Sequence, residues 1–330
     1  MTTTDWPRAW HWALYGPDGF YRRPGPGGAP AAHFRTAVHA APAALAEALT
    51  ELAVRERASA IVDIGAGRGE LVSAMAARAA GPAASPDEPA LRLHAVDLVP
   101  RPAGLPAGIG WSPGLDQLPD DALDGALVIA WELLDTAPVA VLELDDAGRA
   151  RQVLVETHTG EEELGPPADE EQLAWCERWW PLTGAPAGSR AEVGITRDAL
   201  WGNVIERASS ANAVAALAVD YGHDRRSRPP TGSLTGYRAG RVVPAVPDGG
   251  CDITAHVALD AVAEAGLRCG ATGSRLTSQR EALQQLGTTA GTGADTGQWT
   301  AKTLAERGAR AELLDPGGLG GFGWLLQQVR

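Results

Sequence analysis

Glycines, carboxylates and a histidine of this chain fall at spacings that could do chemistry. Gly65, Gly67 and Gly69 alternate in Ile61-Val-Asp-Ile-Gly-Ala-Gly-Arg-Gly69, directly after an apolar run that contains Asp63. Glycine permits a sharp turn and lets a ligand reach main-chain atoms that a Cβ would cover. Asp97 closes the next apolar run, 91–97. An acid at that place can accept both hydroxyl hydrogen bonds of a ribose diol. Glu132 and Asp135 lie three apart after the apolar run 124–130. On a helical turn they would share one face, and together they could grip a planar cation in bidentate fashion. His256 could orient a substrate or act as a base, since an imidazole titrates near neutral pH.

Each feature has a plainer explanation. A dinucleotide fingerprint needs a third glycine where this chain has Glu70, and no Gly-Lys-Ser/Thr follows for a Walker loop. What remains is G-x-G-x-G, which in a chain with 40 glycines could also be a tight surface turn. Glu132 and Asp135 could simply stabilise a helix N-terminus. Asp252 could cap a helix that starts near His256. Trp111 could pack against an adenine or belong to the core. Trp131, Tyr221 and His223 follow strand ends and could line an acceptor pocket, or belong to ordinary loops.

The elements that must position these residues alternate between strands and helices. Strands are expected at 59–64, 91–97, around Ile109 and Trp111, at 124–130 and at 213–220, each an apolar run of the buried parallel kind. Helices are expected at 6–14, 37–57, 70–78, 170–180 and 196–209. Asp145-Asp-Ala-Gly148 predicts a hairpin joining 139–144 to 151–156. The acidic stretch 157–170 is expected to be a surface loop. A helix at 255–265 and a strand at 267–271 would close the fold. Loops are expected at 23–30 and 81–90, and a Gly/Thr-rich linker at 288–297. The expected class is α/β: a Rossmann-like, mostly parallel sheet with helices on both faces. Its expected division is an N-terminal helical cap (1–57), a first core part (58–145), an insertion of hairpin, acidic loop and Trp-rich helix (146–195), and the remaining core with a C-terminal extension (196–330).

Net charge is −13, which argues against general nucleic-acid binding. No apolar run is long enough for a membrane span. Cys176, Cys251 and Cys269 are few and widely spaced, so neither a disulfide framework nor a metal site is expected, and a cytoplasmic location is the simple inference.

The G-x-G-x-G turn preceded by Asp63 looks like the first motif of class I S-adenosylmethionine (SAM) methyltransferases. Further stretches resemble one family of them, the MidA-type enzymes. They are Tyr15-Gly-Pro-Asp-Gly-Phe-Tyr21, Ala130-Trp-Glu-Leu-Leu-Asp-Thr-Ala-Pro-Val139, Asp220-Tyr-Gly222, Gly232-Ser-Leu-Thr-Gly-Tyr237, Asp252-Ile-Thr-Ala-His-Val257 and Leu314-Asp-Pro-Gly-Gly-Leu-Gly320. The resemblance spans nearly the whole chain. It departs from the family pattern at His33, Trp131, Thr235 and Ala258. It implies SAM as cofactor, bound by Asp63, Gly65, Gly67, Gly69, Asp97 and Trp111. It also implies an acceptor site of Trp131, Tyr221 and His223, with Glu132, Asp135 and His256 as catalytic candidates. The mitochondrial member methylates a protein arginine in complex I assembly, so the resemblance implies a protein or peptide arginine as acceptor. A small natural product with an N or O acceptor is the alternative, a non-catalytic SAM-binding assembly factor is a third, and a homodimer is compatible with any of them.

Overall fold

The computed structural model describes residues 3–23, 36–81, 90–288 and 300–330. His33, and most of the loops and linker expected at 23–30, 81–90 and 288–297, lie outside the described residues. The chain forms two compact units. One, the sheet unit, comprises Thr36–Leu133, Asn203–Tyr221 and Gly266–Arg330; the other, the antiparallel unit, comprises Met1–Arg35, Leu134–Gly202 and Gly222–Ala265.

The sheet unit holds seven strands: β1 (Ala60–Ile64), β2 (Arg92–Val96), β3 (Gly110–Ser112), β4 (Ala126–Trp131), β5 (Ala215–Asp220), β6 (Gly273–Ser278) and β7 (Gly323–Gln328). Their order is β6-β7-β5-β4-β1-β2-β3. β1 to β5 pair in parallel, and β7 runs antiparallel to β5 and β6. Strand order reverses between β1 and β4, the place where such sheets bind ligands. β1, β4 and β5 are buried along their whole length, as their unbroken apolar sequences require. The segment expected as one helix at 37–57 is two, α1 (Ala37–Ala40) and α2 (Pro42–Arg55). Pro42 starts α2, and the residue before a proline is kept out of the helical region. Leu45, Leu49 and Leu52 of α2 pack with Ile61, Leu127, Ile129 and Leu217. α3 (Glu70–Ala79) follows the glycine turn.

The antiparallel unit has a five-stranded sheet of Thr3–Asp5, Ala140–Leu144, Ala150–Glu156, Glu162–Pro167 and Arg190–Val193. The expected hairpin is present. The acidic stretch expected as a loop contributes Glu162–Pro167, paired to Ala150–Glu156. Its glutamates face solvent, as suits an exposed strand, and so the acidic composition hid the backbone pairing. The N-terminal helix Trp6–Tyr15 is capped by Asp5, whose side chain accepts from the Arg8 N–H. Trp6, Trp10, Ala13 and Leu14 form one buried face against Val139, Val141, Val153 and Val155. Trp175 and Trp180 pack with Leu142, Ala191 and Val193, the core role that helical tryptophans usually have.

The expected end of the fold is corrected. Residues 252–258 are extended, in Asp252–Thr254 and Val257–Ala258, and the helix is Leu259–Arg268. The following strand is β6, not 267–271. Pairing with Thr235–Arg238 and Gly222–His223 holds 252–258 extended, and these partners are distant in sequence.

Candidate active site

The carboxyl ends of β1, β2 and β4 carry the cofactor candidates. After β1 the backbone turns through Gly65, Gly67 and Gly69 with φ of 76°, 59° and 78°. A Cβ on Gly69 would sit 2.5 Å from Leu105 Cδ1, whereas one on Gly67 would meet only Glu70 Oε2, at 3.5 Å. Gly69 is therefore required for packing, and Gly67 leaves main chain open to a ligand. The Gly67 N–H donates to Asp97 Oδ2 at 2.7 Å, and the Val99 N–H donates to Oδ1 at 3.0 Å. Asp97 thus ties the glycine turn to the end of β2. Each of its oxygens keeps a second lone pair, enough for a diol.

Two further acids face this turn. Glu70 accepts from the Arg68 N–H at 3.0 Å and lies 3.5 Å from His39 Nε2. Burial raises its pKa, but the His39 contact outweighs that and holds the carboxyl below its usual range. Asp63 is 3% exposed and makes no hydrogen bond among the described residues. Burial, then the charges of Asp97 and Glu70, push it up to about 7. Three carboxyls around an open glycine turn suit a ligand that brings positive charge and a diol. Trp111 packs with Ala66, Val72, Ala95, Leu105 and Ile109.

At the end of β4 the structure departs from the sequence reading. Glu132 and Asp135 do not share a helical turn: Glu132 has φ of +50°, and no helix follows. A left-handed glutamate costs energy and must be held by its surroundings. Here the Glu132 N–H donates to the Val219 carbonyl at 2.8 Å, and Glu132 Oε1 accepts from the Ala37 N–H of α1 at 2.9 Å. Trp131 is buried edge-on against Trp324, ring centroids 5.5 Å apart, in the core packed against α2. It is a core residue and not a wall of an acceptor pocket, because side chains alternate across a strand and Trp131 points with Leu127 and Ile129. Tyr221, after β5, packs against Phe322.

The other candidates lie in the antiparallel unit. Asp135 and Asp252 are buried, and His256 is exposed. Asp252 does not cap a helix; both its oxygens accept from the Tyr21 hydroxyl at 2.9 Å. His223 is buried, and its Nδ1 accepts from Arg228 Nη1 at 2.6 Å. Burial, then the charge of Arg228, push His223 down to about 3, so it is neutral. Its ring lies 6.3 Å from that of His256.

Two arginines escaped the sequence reading. Arg197 is 2% exposed and donates to the carbonyls of Ala137 (3.1 Å), Asp135 (2.6 Å) and His256 (2.9 Å). One guanidinium thereby fixes both backbone segments that carry Asp135 and His256. A signal existed: Arg197 lies four residues before buried Trp201, on the face continued by Val204, Ile205 and Ala208. Arg228 joins His223 to Asp260, its Nη2 2.5 Å from Asp260 Oδ1. Nothing local marks Arg228 out among its neighbouring arginines.

Comparison with known proteins agrees with this geometry. The profile of a family described as "Putative S-adenosyl-L-methionine-dependent methyltransferase" matches residues 43–277, more than two thirds of the chain. The chain belongs to this family. Its cofactor is SAM, and the acids, the diol-accepting Asp97 and the open Gly67 fit that molecule. A solved COG1565 superfamily member from Burkholderia thailandensis, bound to S-adenosyl-homocysteine, is similar in fold, with a TM-score of 0.76 and 23% identity over 99% of this chain and 88% of that one. A native COG1565 superfamily structure from the same organism gives 0.74 and 22% over 99% and 87%. The sheet is accordingly that of a class I methyltransferase, in line with the MidA-type resemblance. No curated protein matches the sequence. Among the described residues no group of three or more His, Cys, Asp or Glu could hold a metal ion, and no helix is long and apolar enough to cross a membrane.

Proposed function

We propose that this methyltransferase N-methylates an arginine of a protein or peptide. The observation that carries the reading is Glu132: a carboxylate on strained left-handed backbone at the end of β4, in the same unit as the glycine turn and Asp97. Strain of this kind persists where the surroundings hold a side chain for a task. Bound SAM would supply the activated methyl. Gly65, Gly67 and Gly69 would carry the cofactor along the turn, Asp97 would accept from its ribose hydroxyls, and Asp63 and Glu70 would offset its positive charge. Trp111 would border the adenine. Glu132 would accept hydrogen bonds from the acceptor nitrogen group and orient it, which is how a protein speeds a displacement that depends on alignment. Asp135 would add negative potential, and His256, exposed, would take up the released proton. Tyr221 and His223 would contact the acceptor.

A small molecule with an oxygen-bearing group is the alternative, favoured by the arginines that surround His223. The assembly-factor reading needed Trp131 to fill the acceptor site, and the burial of Trp131 removes that support. The test is incubation of a cell extract with isotope-labelled SAM and the enzyme, followed by mass spectrometry. Label on arginine in the protein fraction is expected. Label confined to small molecules would overturn the arginine reading, and no label in either would overturn the catalytic one.

A further inference from the structure

His223 has a donor and no use for it. Arg228 can only donate, so His223 Nδ1 must be the accepting nitrogen and Nε2 must carry the proton. That Nε2 is buried and has no hydrogen-bond partner. Arg228 is itself held on three sides: by Asp260, by the Trp179 carbonyl at 3.0 Å and by the His223 carbonyl at 3.0 Å. Trp180 meets the imidazole at 87° with centroids 4.7 Å apart, a contact that supplies no lone pair. A buried N–H left without an acceptor is costly, and such groups are rare in native proteins. The neighbouring ring is exposed His256, whose backbone is fixed on both sides. Its N–H donates to Ser233 Oγ at 2.8 Å and its carbonyl accepts from Arg197. One oxygen accepting from two N–H groups at about 2.9 Å each bridges rings at separations of this order.

We propose that His223 and His256 form a binding site for an oxygen of the methyl acceptor, a carbonyl or carboxylate, with Arg228 as the positioning residue that holds His223 in the Nε2–H form. The proposal rests on the methyltransferase reading but is separable from it. Oxygen is the matching atom because the site presents an N–H donor near two arginines. A guanidinium would find no acceptor on Nε2 and would be repelled. An arginine peptide would therefore place a main-chain carbonyl here, and a small acceptor its carboxylate. Burial and the charge of Arg228 keep His223 neutral, so the donor is present across the physiological range.

The test is nitrogen-15 NMR of the histidine side chains of the full chain. Long-range correlations should report a pure Nε2–H tautomer for His223, unchanged from pH 7.5 to pH 5. With saturating S-adenosyl-homocysteine, titration with benzoate or with N-acetyl-arginine-N-methylamide should move the His223 Nε2–H signal. Arg228→Met should mix the tautomers and weaken the responding probe roughly tenfold, while Arg228→Lys, which restores a donor, should recover part of the pure tautomer. An Nδ1–H tautomer in the wild-type chain, or no response to either probe, would overturn the proposal even if the variants fail to fold. The Gly67 and Gly69 amides report separately. If S-adenosyl-homocysteine leaves them unmoved, the cofactor reading fails, and the tautomer measurement still tests the His223 geometry.

Discussion

The sheet unit and the antiparallel unit solve different problems with different kinds of residue. Around the glycine turn the groups are acids, and they are held mainly by main-chain N–H groups a few residues away: Gly67 and Val99 on Asp97, and Arg68 on Glu70. Around His223 and His256 the organising groups are arginines, and they are held by carbonyls tens of residues distant. A local motif can build the first arrangement almost by itself. The second exists only once distant segments have been brought together. The lesson is that the cofactor end of this enzyme is specified by short-range backbone geometry and the acceptor candidates by long-range packing. The acceptor candidates should therefore be the part most easily altered without loss of cofactor binding.

Variants can break or sharpen that contrast. The largest effect is expected from Glu132→Gln, which keeps the shape and removes the charge. Turnover should fall by about two to three orders of magnitude while SAM affinity measured by calorimetry hardly changes. Normal turnover would take Glu132 out of the mechanism. Next comes Arg197→Met, which strips three buried carbonyls of their partner. Unpaired buried acceptors cost about 1–3 kcal/mol each, so thermal unfolding should shift down by several degrees. If the SAM affinity of the folded variant drops as well, the two units are less separable than argued.

Asp97→Ala is the mirror experiment in the sheet unit. Losing hydrogen bonds to a charged group costs about 1.5–3 kcal/mol each, so SAM should bind roughly ten- to a hundredfold more weakly. The histidine NMR signals should stay in place. A Gly67→Val variant that binds SAM like wild type would sink the cofactor assignment.

The smallest effect is a slope. Asp63 has its pKa raised to about 7 in the folded chain, against an ordinary value of 3.8. Between those values the folded state holds a proton that the unfolded state has lost. Stability should therefore fall as pH rises from about 4 to about 7, and level off above. Asp63→Asn should flatten that part of the melting-temperature profile. A wild-type profile that rises through the same window would show that Asp63 is ionised throughout.

Much of this was legible in the chain itself. Ile61–Gly69, the runs ending at Asp97 and Ala130, and the strand before Tyr221 each carry their own conformational instruction, and β1, β2, β4 and β5 lie within two residues of where those runs placed them. Unbroken apolar runs can only be buried strands or helices, and alternating glycines can only be a turn, so no distant information is needed. Where the sequence misled, the deciding partner was remote. Glu132 leaves the helical region because its N–H meets Val219 and its carboxylate meets Ala37. Asp252 serves Tyr21, 231 residues away, and not a helix. Trp131 turns into the core because β4 is flanked on both sides. Arg197 and Arg228 look like surface charges until the backbone carbonyls around them are in place. Local sterics and hydrophobic period settled the sheet and the cofactor turn; the acceptor-side hydrogen bonds waited for tertiary structure, because a buried charge or an orphaned imidazole proton acquires meaning only from the groups that fold around it.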